Sequence, residues 1–226
     1  MKLNDFFDNI YCLNLDFRTD RYEECLLEFN KIGITVERFS AIDGKTVSNP
    51  NPRVSVGLYG LYLTHINMLK DAIEKKYNNI LLLEDDVKFI DNFNEHFNEK
   101  IKYLPEDWDL FYLGGNHIFY QGMFTLITGD KSIAPNIDNY RSLNHELCKT
   151  TWTQCAHAVG INGKYFNELL NQIIAHPSVP IDILYSMLQK NNNTYTFLPS
   201  IVIQRESFSN IENKVVNYSD DIGNSF

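Results

Sequence analysis

The sequence predicts an α/β fold in which a mixed, mostly parallel β-sheet lies between helical layers. Residues 80–83 and 109–113 are apolar at nearly every position, as is typical of strands that are covered on both faces. Between and after such strands, apolar residues recur at helical spacing, most clearly over residues 58–73. Strands that alternate with helices indicate a sheet packed by helices on its two sides.

The first part of the chain is predicted to form strand, helix and strand. Residues 10–15 are a short apolar run, and residues 22–32 carry apolar side chains at helical spacing before Gly33, which predicts the helix stop. Residues 36–41 predict the second strand, and a loop rich in turn-forming residues follows.

A long helix and a buried strand come next. The helical pattern over residues 58–73 ends at Lys75 and Lys76, where the helix dipole favours cations. The strand over residues 80–83 then stops abruptly at three successive acidic residues. Together these elements bring a cluster of carboxylates to the carboxyl end of a buried strand.

The second half predicts two more strands and two more helices, at residues 109–113, 156–161, 164–174 and 181–188. Residues 116–151 show no sustained period, and we predict an irregular excursion over the active face, because long irregular loops are usually functional or disordered. Residues 207–226 are predicted to be a polar tail.

Composition excludes several classes of protein. The chain has 226 residues, 44% of them hydrophobic, which suits one globular domain over residues 1–226. Its 20 Lys and Arg residues against 29 Asp and Glu residues give a charge of -9, so a nucleic-acid partner is not expected. No apolar run is long enough for a transmembrane segment and the amino end does not resemble a signal peptide, so we expect a cytoplasmic protein. The four cysteines show no CxxC spacing and are predicted to be reduced, buried thiols.

The strongest chemical signal is the run Glu84, Asp85 and Asp86 at a strand end, the edge where open α/β sheets bind ligands. Converging carboxylates disfavour each other's ionisation unless a cation compensates, and their oxygens suit Mg²⁺ or Mn²⁺. The alternative is a solvated turn with an acid that caps a helix.

Several blocks resemble, in the same order, the motifs of glycosyltransferase family 25, which includes lipooligosaccharide and collagen galactosyltransferases. The similar blocks extend to about residue 211. They are IYCLNLD at residues 10–16 with Arg18 and Arg21, FSAIDG at 39–44, GLYLTH at 60–65 with threonine for the family's serine, LLEDDV at 82–87, WDLFYLG at 108–114, AHAV at 156–159, and the pair Ile181 and Asp182.

The resemblance implies a GT-A type nucleotide-diphosphosugar transferase fold and an inverting hexosyltransferase. Asp86, with Asp85 or Glu84, would hold Mn²⁺ (or Mg²⁺) against the diphosphate of a UDP-sugar donor, most simply UDP-galactose. Asp182 would take the proton of the acceptor hydroxyl, on a glycan or a hydroxylysine-type protein. Without the resemblance, an acid in the first turn of a helix is the favoured interpretation of Asp182.

Further candidates for donor binding lie in the other matched blocks. Asn14, Arg18 and Arg21 follow the first strand and could bind the nucleotide, although surface salt bridges would also explain the arginines. Asp43 would either present a carboxylate or form an ordinary turn. His65 matches the family block, but it lies on an apolar helix face, where a buried structural histidine is the simpler expectation.

The remaining polar and aromatic candidates carry weaker signals. Gln204 matches a glutamine after the last family strand and is a candidate metal or diphosphate contact, the alternative being a hydrogen bond at a strand end. His157 lies in an apolar strand, where burial with a hydrogen-bond partner is the alternative to a role. Trp108, Trp152 and Tyr112 could stack on a sugar, but such residues are more often core.

Two other classes of function compete with a transferase. A sugar-nucleotide- or carbohydrate-binding protein of the same fold would have lost turnover, but burying Asp85 and Asp86 without a metal would cost stability. A phosphoryl-transfer or receiver-type domain also places acids at a strand end around Mg²⁺. Its acids are expected after an early strand of a shorter chain, whereas Glu84, Asp85 and Asp86 follow about the third strand.

Overall fold

The structure is a computed structural model that describes residues 1–51, 54–117, 124–128, 131–133, 145–209 and 214–217. The helices in these ranges are α1 (Leu3–Phe6), α2 (Thr19–Ile32), α3 (Val56–Glu74), α4 (Phe93–Lys100), α5 (Phe166–Ala175) and α6 (Ile181–Leu188). The strands are β1 (Asn9–Leu15), β2 (Glu37–Ala41), β3 (Asn79–Glu84), β4 (Val87–Phe89), β5 (Leu110–His117), β6 (Phe124–Thr128), β7 (Lys131–Ile133), β8 (Glu146–Thr150), β9 (Thr153–Asn162), β10 (Thr194–Leu198), β11 (Val202–Gln204), β12 (Ser207–Ser209) and β13 (Lys214–Val216).

The main sheet of the described ranges has nine strands, in the order β2-β1-β3-β9-β5-β10-β8-β6-β7. Strands β1, β2, β3, β5, β6 and β10 run in one direction, and β7, β8 and β9 run against them. The mixed, mostly parallel sheet that the sequence predicts is therefore confirmed. Strand β9 lies antiparallel between β3 and β5, so it separates the two parallel parts.

Helices cover both faces of this sheet, which explains the uninterrupted apolar run in β3. Leu81 and Leu83 face one core with α2 and α4, whereas Ile80 and Leu82 face a second core with α3, α5 and α6. Because successive side chains of a strand point to opposite faces, a strand between two cores must be apolar throughout. The prediction of helical layers on both sides is confirmed.

Two predictions about irregular segments need correction. Within residues 116–151, predicted to be irregular, β5 continues to His117 and strands β6, β7 and β8 extend the sheet. Polar side chains such as Lys149 and Thr150 interrupt the apolar period on which the prediction relied. Within the predicted tail, β12 pairs with β13 as a hairpin. Residues 118–123, 129–130, 134–144, 210–213 and 218–226 lie outside the described residues.

Candidate active site

A cavity of about 590 Å³ opens at the carboxyl ends of β1, β2 and β3. Parallel strands bring their carboxyl ends to one edge, which is where α/β sheets bind ligands. Eight of the ten candidate residues line this cavity, and they come from five separate stretches of chain. They are Arg18, Arg21, Asp43, Glu84, Asp85, Asp86, Asp182 and Gln204.

Arg21 lies between two of the acidic side chains. Its Nη2 is 2.5 Å from Oδ1 of Asp85 and 3.0 Å from Oδ2 of Asp86, and its side chain is only 10% exposed. Burial alone lowers the pKa of Arg21, but the charges of Asp86 and Asp85 outweigh it and raise that pKa. The first turn of α2 therefore supplies a fixed cation to the acidic cluster.

Asp85 is held by partners on two elements. Arg21 donates from Nε to Oδ1 at 2.7 Å, and Asn14 donates from Nδ2 to Oδ2 at 2.6 Å. Arg38 in turn donates from Nε to Oδ1 of Asn14 at 2.8 Å, which fixes the orientation of the amide. Burial raises the pKa of Asp85, while Arg21 and Asn14 oppose that rise. Because both of its carboxylate oxygens have strong hydrogen-bond partners, Asp85 mainly holds the acidic cluster in place and is less available to bind a metal.

Glu84, Asp86 and Gln204 form the part of the cluster that could hold a metal. The amide nitrogen of Gln204 lies 3.4 Å from Oε2 of Glu84 and 3.3 Å from Oδ1 of Asp86. The buried Oε1 of Gln204 has no hydrogen-bond partner among the described residues. Burial first, and then the charges of Asp86 and Asp85, raise the pKa of Glu84 to about 8. Strand β11 reaches this point because it pairs with β4, which directly follows the acids.

This donor set fits a hard cation that is shared with a phosphate. Among the described residues, no three His, Cys, Asp or Glu side chains form a group that would hold a metal by themselves. Mg²⁺ and similar cations commonly take one or two carboxylates from the protein and the remaining oxygens from phosphates and water. The amide nitrogen of Gln204 faces the two carboxylates, so a 180° turn of this amide would bring its Oε1, which has no partner among the described residues, to the cluster as an additional oxygen ligand.

Asp182 faces the same cavity from the first turn of α6, so the two interpretations of this residue are compatible. Its carboxylate forms no salt bridge within the described part of the chain. Burial raises its pKa, and the backbone N–H of Ile183 opposes that rise. A carboxylate with a raised pKa and no cationic partner is chemically suited to accept a proton.

Two of the matched sequence blocks meet in the wall beside β2. A Cβ atom on Gly44 would lie 1.7 Å from the carbonyl oxygen of Val56, so only glycine permits this close packing on α3. The Thr64 hydroxyl accepts from the backbone N–H of Ile42 at 2.9 Å and donates to the Gly60 carbonyl at 2.8 Å. Either serine or threonine supplies such a hydroxyl, which explains why the substitution in this block is compatible with the fold.

Asp43 has a structural role in this wall as well as a place in the cavity. Its Oδ1 accepts from the backbone N–H of Lys45 at 2.9 Å and caps a short 3₁₀ turn. The two alternatives for this residue, a turn and a ligand contact, are therefore both compatible with its position.

Two candidates lie outside the cavity lining. Asn14 acts through Asp85, as described above. His65, predicted as a donor contact, is fully buried between α3 and α6, where its Nδ1 lies 3.0 Å from the hydroxyl of Tyr185. Burial lowers its pKa to about 3, so the ring is neutral. His65 is thus a buried structural histidine, and its assignment to donor binding is corrected.

The weaker candidates also lie outside the cavity lining, and three of the four are buried. His157 is fully buried and its Nε2 lies 3.1 Å from the carbonyl oxygen of Val202. Trp108 and Tyr112 belong to the two cores. Trp152 is partly buried and has Lys190 above its ring at 5.6 Å, away from the cavity. All four cysteines are free thiols, and Cys12, Cys25 and Cys148 are buried, as predicted.

Sequence reasoning missed several residues that line the cavity. Asn116, Gln154 and Cys155 face it from β5 and β9, and Phe17, Lys45 and Phe208 lie along its other parts. Asn116 follows the glycines that end a matched block, and Gln154 and Cys155 directly precede another, so adjacency to those blocks was a usable signal. No local pattern marks Phe208, which reaches the cavity through the β12–β13 hairpin.

The fold and this site define a sheet-edge ligand-binding protein of the α/β class, and comparison with known proteins specifies the family. The model of glycosyltransferase family 25 (LPS biosynthesis protein) matches residues 7–185. The chain therefore belongs to glycosyltransferase family 25, as the sequence blocks suggested.

Curated relatives match about half of this chain. Procollagen galactosyltransferase 2 of Mus musculus is 30% identical over 134 residues, which cover 48% of this chain and 21% of the relative. A glycosyltransferase 25 family member of Anopheles gambiae is 28% identical over 130 residues, covering 47% and 21%. A protein of Bos taurus named probable inactive glycosyltransferase 25 family member 3 is 24% identical over 133 residues, covering 50% and 22%. The chain thus spans about a fifth of the length of these relatives.

Solved structures match over most of the chain at low similarity. A glycosyltransferase involved in glycosylation of the major capsid of PBCV-1 is 10% identical, with a TM-score of 0.37, covering 76% of this chain and 68% of the other. Mouse xyloside xylosyltransferase 1 is 10% identical, with a TM-score of 0.38, covering 81% and 68%. Separately, no helix in the described ranges combines the length and hydropathy needed to cross a membrane.

Proposed function

We propose that this protein is an inverting, metal-dependent glycosyltransferase that moves a hexose from a UDP-sugar, with galactose as the first candidate, to an acceptor hydroxyl. The observation that carries the proposal is that two different acidic groups line one cavity. One is the pair Glu84 and Asp86, which could hold a cation and which we call the cation-ready cluster. The other is the separate carboxylate of Asp182. An inverting transfer needs both a charge-neutralising centre and a base.

Each group has a role that its surroundings support. Asp86 and Glu84, with Oε1 of Gln204, would hold Mn²⁺ or Mg²⁺, which when bound neutralises the charge of the departing nucleoside diphosphate. Arg21 and Asn14 keep Asp85 in place, and Arg21 also orients Asp86. Asp182 removes the proton from the acceptor hydroxyl as the new glycosidic bond forms. Arg18, Asp43 and Lys45 also line the cavity, and they would contact the nucleotide.

The acceptor belongs to the same proposal. The family description names LPS biosynthesis, and one relative is named a procollagen galactosyltransferase. A hydroxyl of a glycan or of a hydroxylysine-type protein is therefore the acceptor class to test, with no nucleic-acid partner. A cytoplasmic location and a single domain over residues 1–226 stay predictions from the sequence.

The direct test is release of UDP by the purified protein from UDP-galactose, UDP-glucose and UDP-GlcNAc, with Mn²⁺ and with EDTA. We expect metal-dependent release from one donor, and loss of it in Asp86→Ala. Binding of UDP is measured in parallel, because some transferases hydrolyse a donor only when their acceptor is present. If wild-type protein neither releases nor binds UDP in the presence of Mn²⁺, the proposal is wrong.

A binding protein without turnover is the second candidate, and one contact favours it. The stability argument against it assumed that Asp85 and Asp86 need a metal, but Arg21 supplies a cation to both. A related protein is also named probable inactive. Tight Mn²⁺-dependent UDP binding, with no transfer to any acceptor in a glycan and peptide screen, would select this candidate.

A phosphoryl-transfer or receiver-type domain is the third class. The acids follow β3, the third strand of the chain, as the sequence indicated, rather than an early strand. Stoichiometric, Mg²⁺-dependent capture of an aspartyl-phosphate analogue would nevertheless favour this class over a transferase.

A further inference from the structure

Two side-chain amides face each other across neighbouring strands at the edge of the cavity. Asn116 on β5 and Gln154 on β9 are Cα partners in the antiparallel pairing, and both line the cavity. Directly opposed residues of antiparallel strands have their Cβ atoms about 4.5–5.5 Å apart and on the same face of the sheet. The two amides, which we call the amide pair, therefore form one surface element rather than two separate contacts.

An irregularity in the sheet brings the amide pair to this position. The β5–β9 register shifts between Tyr112 and Gly114, and again between Gly114 and Asn116. A Cβ atom on Gly115 would lie 2.8 Å from the carbonyl oxygen of Gln154, so glycine lets the strands approach directly beside the pair. Cys155 has a φ of 63°, a left-handed conformation that is uncommon for a residue other than glycine. Such irregularities re-aim side chains and are often found next to active sites.

Within the part of the chain that the structure describes, neither side-chain amide has a hydrogen-bond partner. The side chains of Asn116 and Gln154 make no hydrogen bond to any described residue, although both are partly buried. Other polar residues near this cavity, such as Asn14 and Gln189, use their amides fully within the fold. An amide has both donors and acceptors, which matches a hydroxyl group that also donates and accepts.

The fold holds the amide pair rigidly and ties it to the helix of Asp182. Gln189 accepts from the backbone N–H of Thr153 at 2.7 Å and donates to the carbonyl of Thr153 at 2.6 Å. Ser186 of α6 also donates to that carbonyl, at 2.9 Å. Thr153, the residue next to Gln154, is thus fixed by one buried hydrogen bond from α6 and two from Gln189, which directly follows α6. The amide pair and the carboxylate of Asp182 therefore keep a defined relative position.

We propose that Asn116 and Gln154 form a sugar-binding pair that hydrogen-bonds the hydroxyls of a hexose next to Asp182. This inference rests on the proposed function, which places a hexose between the cation-ready cluster and Asp182. The shared chemistry is a polyhydroxylated six-membered ring, either the hexosyl group of the UDP-sugar or the acceptor sugar. Because α6 packs against β9, which carries Gln154, the pair lies near the helix of Asp182. We therefore expect it to contact the sugar rather than the nucleotide.

The experiment removes the amides without a large change in size. The variants are Asn116→Leu, Gln154→Met and their combination, with Asn171→Leu on the exposed side of α5 as the matched control. Thermal unfolding checks each fold, and Asn116→Ser replaces Asn116→Leu if the latter unfolds at a much lower temperature. Calorimetry with Mn²⁺ then measures the Kd of UDP, of UDP-galactose and of UDP-glucose, and that of methyl β-galactoside in the presence of UDP.

We expect UDP affinity to stay within twofold in every variant. If the pair binds the donor sugar, the affinity for the preferred UDP-hexose falls about 2- to 10-fold in each single variant and 10-fold or more in the double variant. If it binds the acceptor, methyl β-galactoside loses affinity instead. Unchanged affinity for both sugars, with UDP binding intact, overturns the amide pair alone. Failure of the wild-type protein to bind UDP overturns the proposed function, and the inference with it.

Discussion

The two walls of the cavity differ in how their polar side chains are partnered. In the amino-terminal wall, formed by Arg21, Thr64 and Asp85 and supported from behind by Asn14, each of these side chains bonds to another part of the same wall or to the residues that support it. In the carboxyl-terminal wall, the amides of Asn116 and Gln154 have no hydrogen-bond partner among the described residues, and the carboxylate of Asp182 has only backbone N–H groups of its own helix turn.

This difference indicates that one wall is preorganised by its own hydrogen bonds, whereas the other presents polar groups to a ligand. Hydrogen bonds within a wall fix its shape before any ligand arrives, and removing one partner leaves a buried group unsatisfied. Polar side chains without partners are less important for folding and remain available to a substrate. We therefore expect changes in the amino-terminal wall to reduce stability, and changes in the carboxyl-terminal wall to reduce activity while the fold stays intact.

The largest expected effect is in the carboxyl-terminal wall, at Asp182. Asp182→Asn removes the proton acceptor with almost no change in shape, so we expect kcat for transfer to fall about 10²- to 10⁴-fold. UDP affinity should be unchanged, and thermal stability equal or slightly higher, because burial disfavours the ionised carboxylate. Steady-state kinetics and thermal unfolding measure these quantities. A variant with normal kcat would remove Asp182 from the mechanism.

The next effect, in the amino-terminal wall, is on stability. Arg21→Leu leaves Asp85 and Asp86 buried without their cation, and breaking a buried ion pair from one side typically costs about 3–5 kcal/mol. Urea unfolding at neutral pH measures the loss. The control is Arg18→Leu, because the partner of Arg18 in its ion pair, Asp20, is exposed and such pairs contribute about 0–1 kcal/mol. Equal losses in the two variants would contradict the distinction between the walls.

The stability of the protein should depend on pH through Glu84, which lies between the two walls. The pKa of Glu84 is about 8 in the folded protein against an ordinary value of 4.5, so the folded state holds an extra proton between these pH values. Metal-free protein should therefore lose stability as pH rises from about 4.5 to about 8, by at most about 1.4 kcal/mol per pH unit from this group.

Two changes should weaken this slope. Glu84→Gln removes the titrating group, and saturating Mn²⁺ stabilises the ionised carboxylates if the cluster binds it. Urea unfolding between pH 5 and 8 gives the slopes for the metal-free protein, the variant and the Mn²⁺-bound protein. The assignment of the slope to Glu84 is contradicted if Glu84→Gln has the slope of the wild type.

The smallest effect concerns the hydroxyl of Thr64. Thr64→Ser keeps both hydrogen bonds and should change stability by less than about 1 kcal/mol, whereas Thr64→Val leaves the N–H of Ile42 without its partner and should cost about 1–3 kcal/mol. Urea unfolding compares them. If Thr64→Val is as stable as Thr64→Ser, the hydroxyl does not hold the amino-terminal wall together.

Prediction from sequence was most successful where the signal is local. The strands at residues 10–15 and 80–83 and the long helix that became α3 were predicted because burial imposes a period on neighbouring residues. The acids at Glu84, Asp85 and Asp86 were placed correctly at the sheet edge for the same reason: the strand end is visible in the sequence. Strands β6, β7 and β8 were missed because their polar residues obscure that period.

The α/β class, the layered sheet, the family and eight of the residues that line the cavity follow from the sequence alone. Which of these residues already have partners depends on the assembled fold. Arg21 meets Asp85 across 64 positions of the chain, and Asn116 meets Gln154 through a strand pairing that local pattern does not encode. The spacing of apolar residues and the sequence motifs depend on residues that are close together in the chain. Whether a polar side chain finds a hydrogen-bond partner depends on side chains that meet only after the sheet is assembled. His65 was a binding candidate only through its family block, and its burial agrees with the apolar helix face on which it lies. The amide pair, by contrast, becomes visible only when the two strands lie side by side.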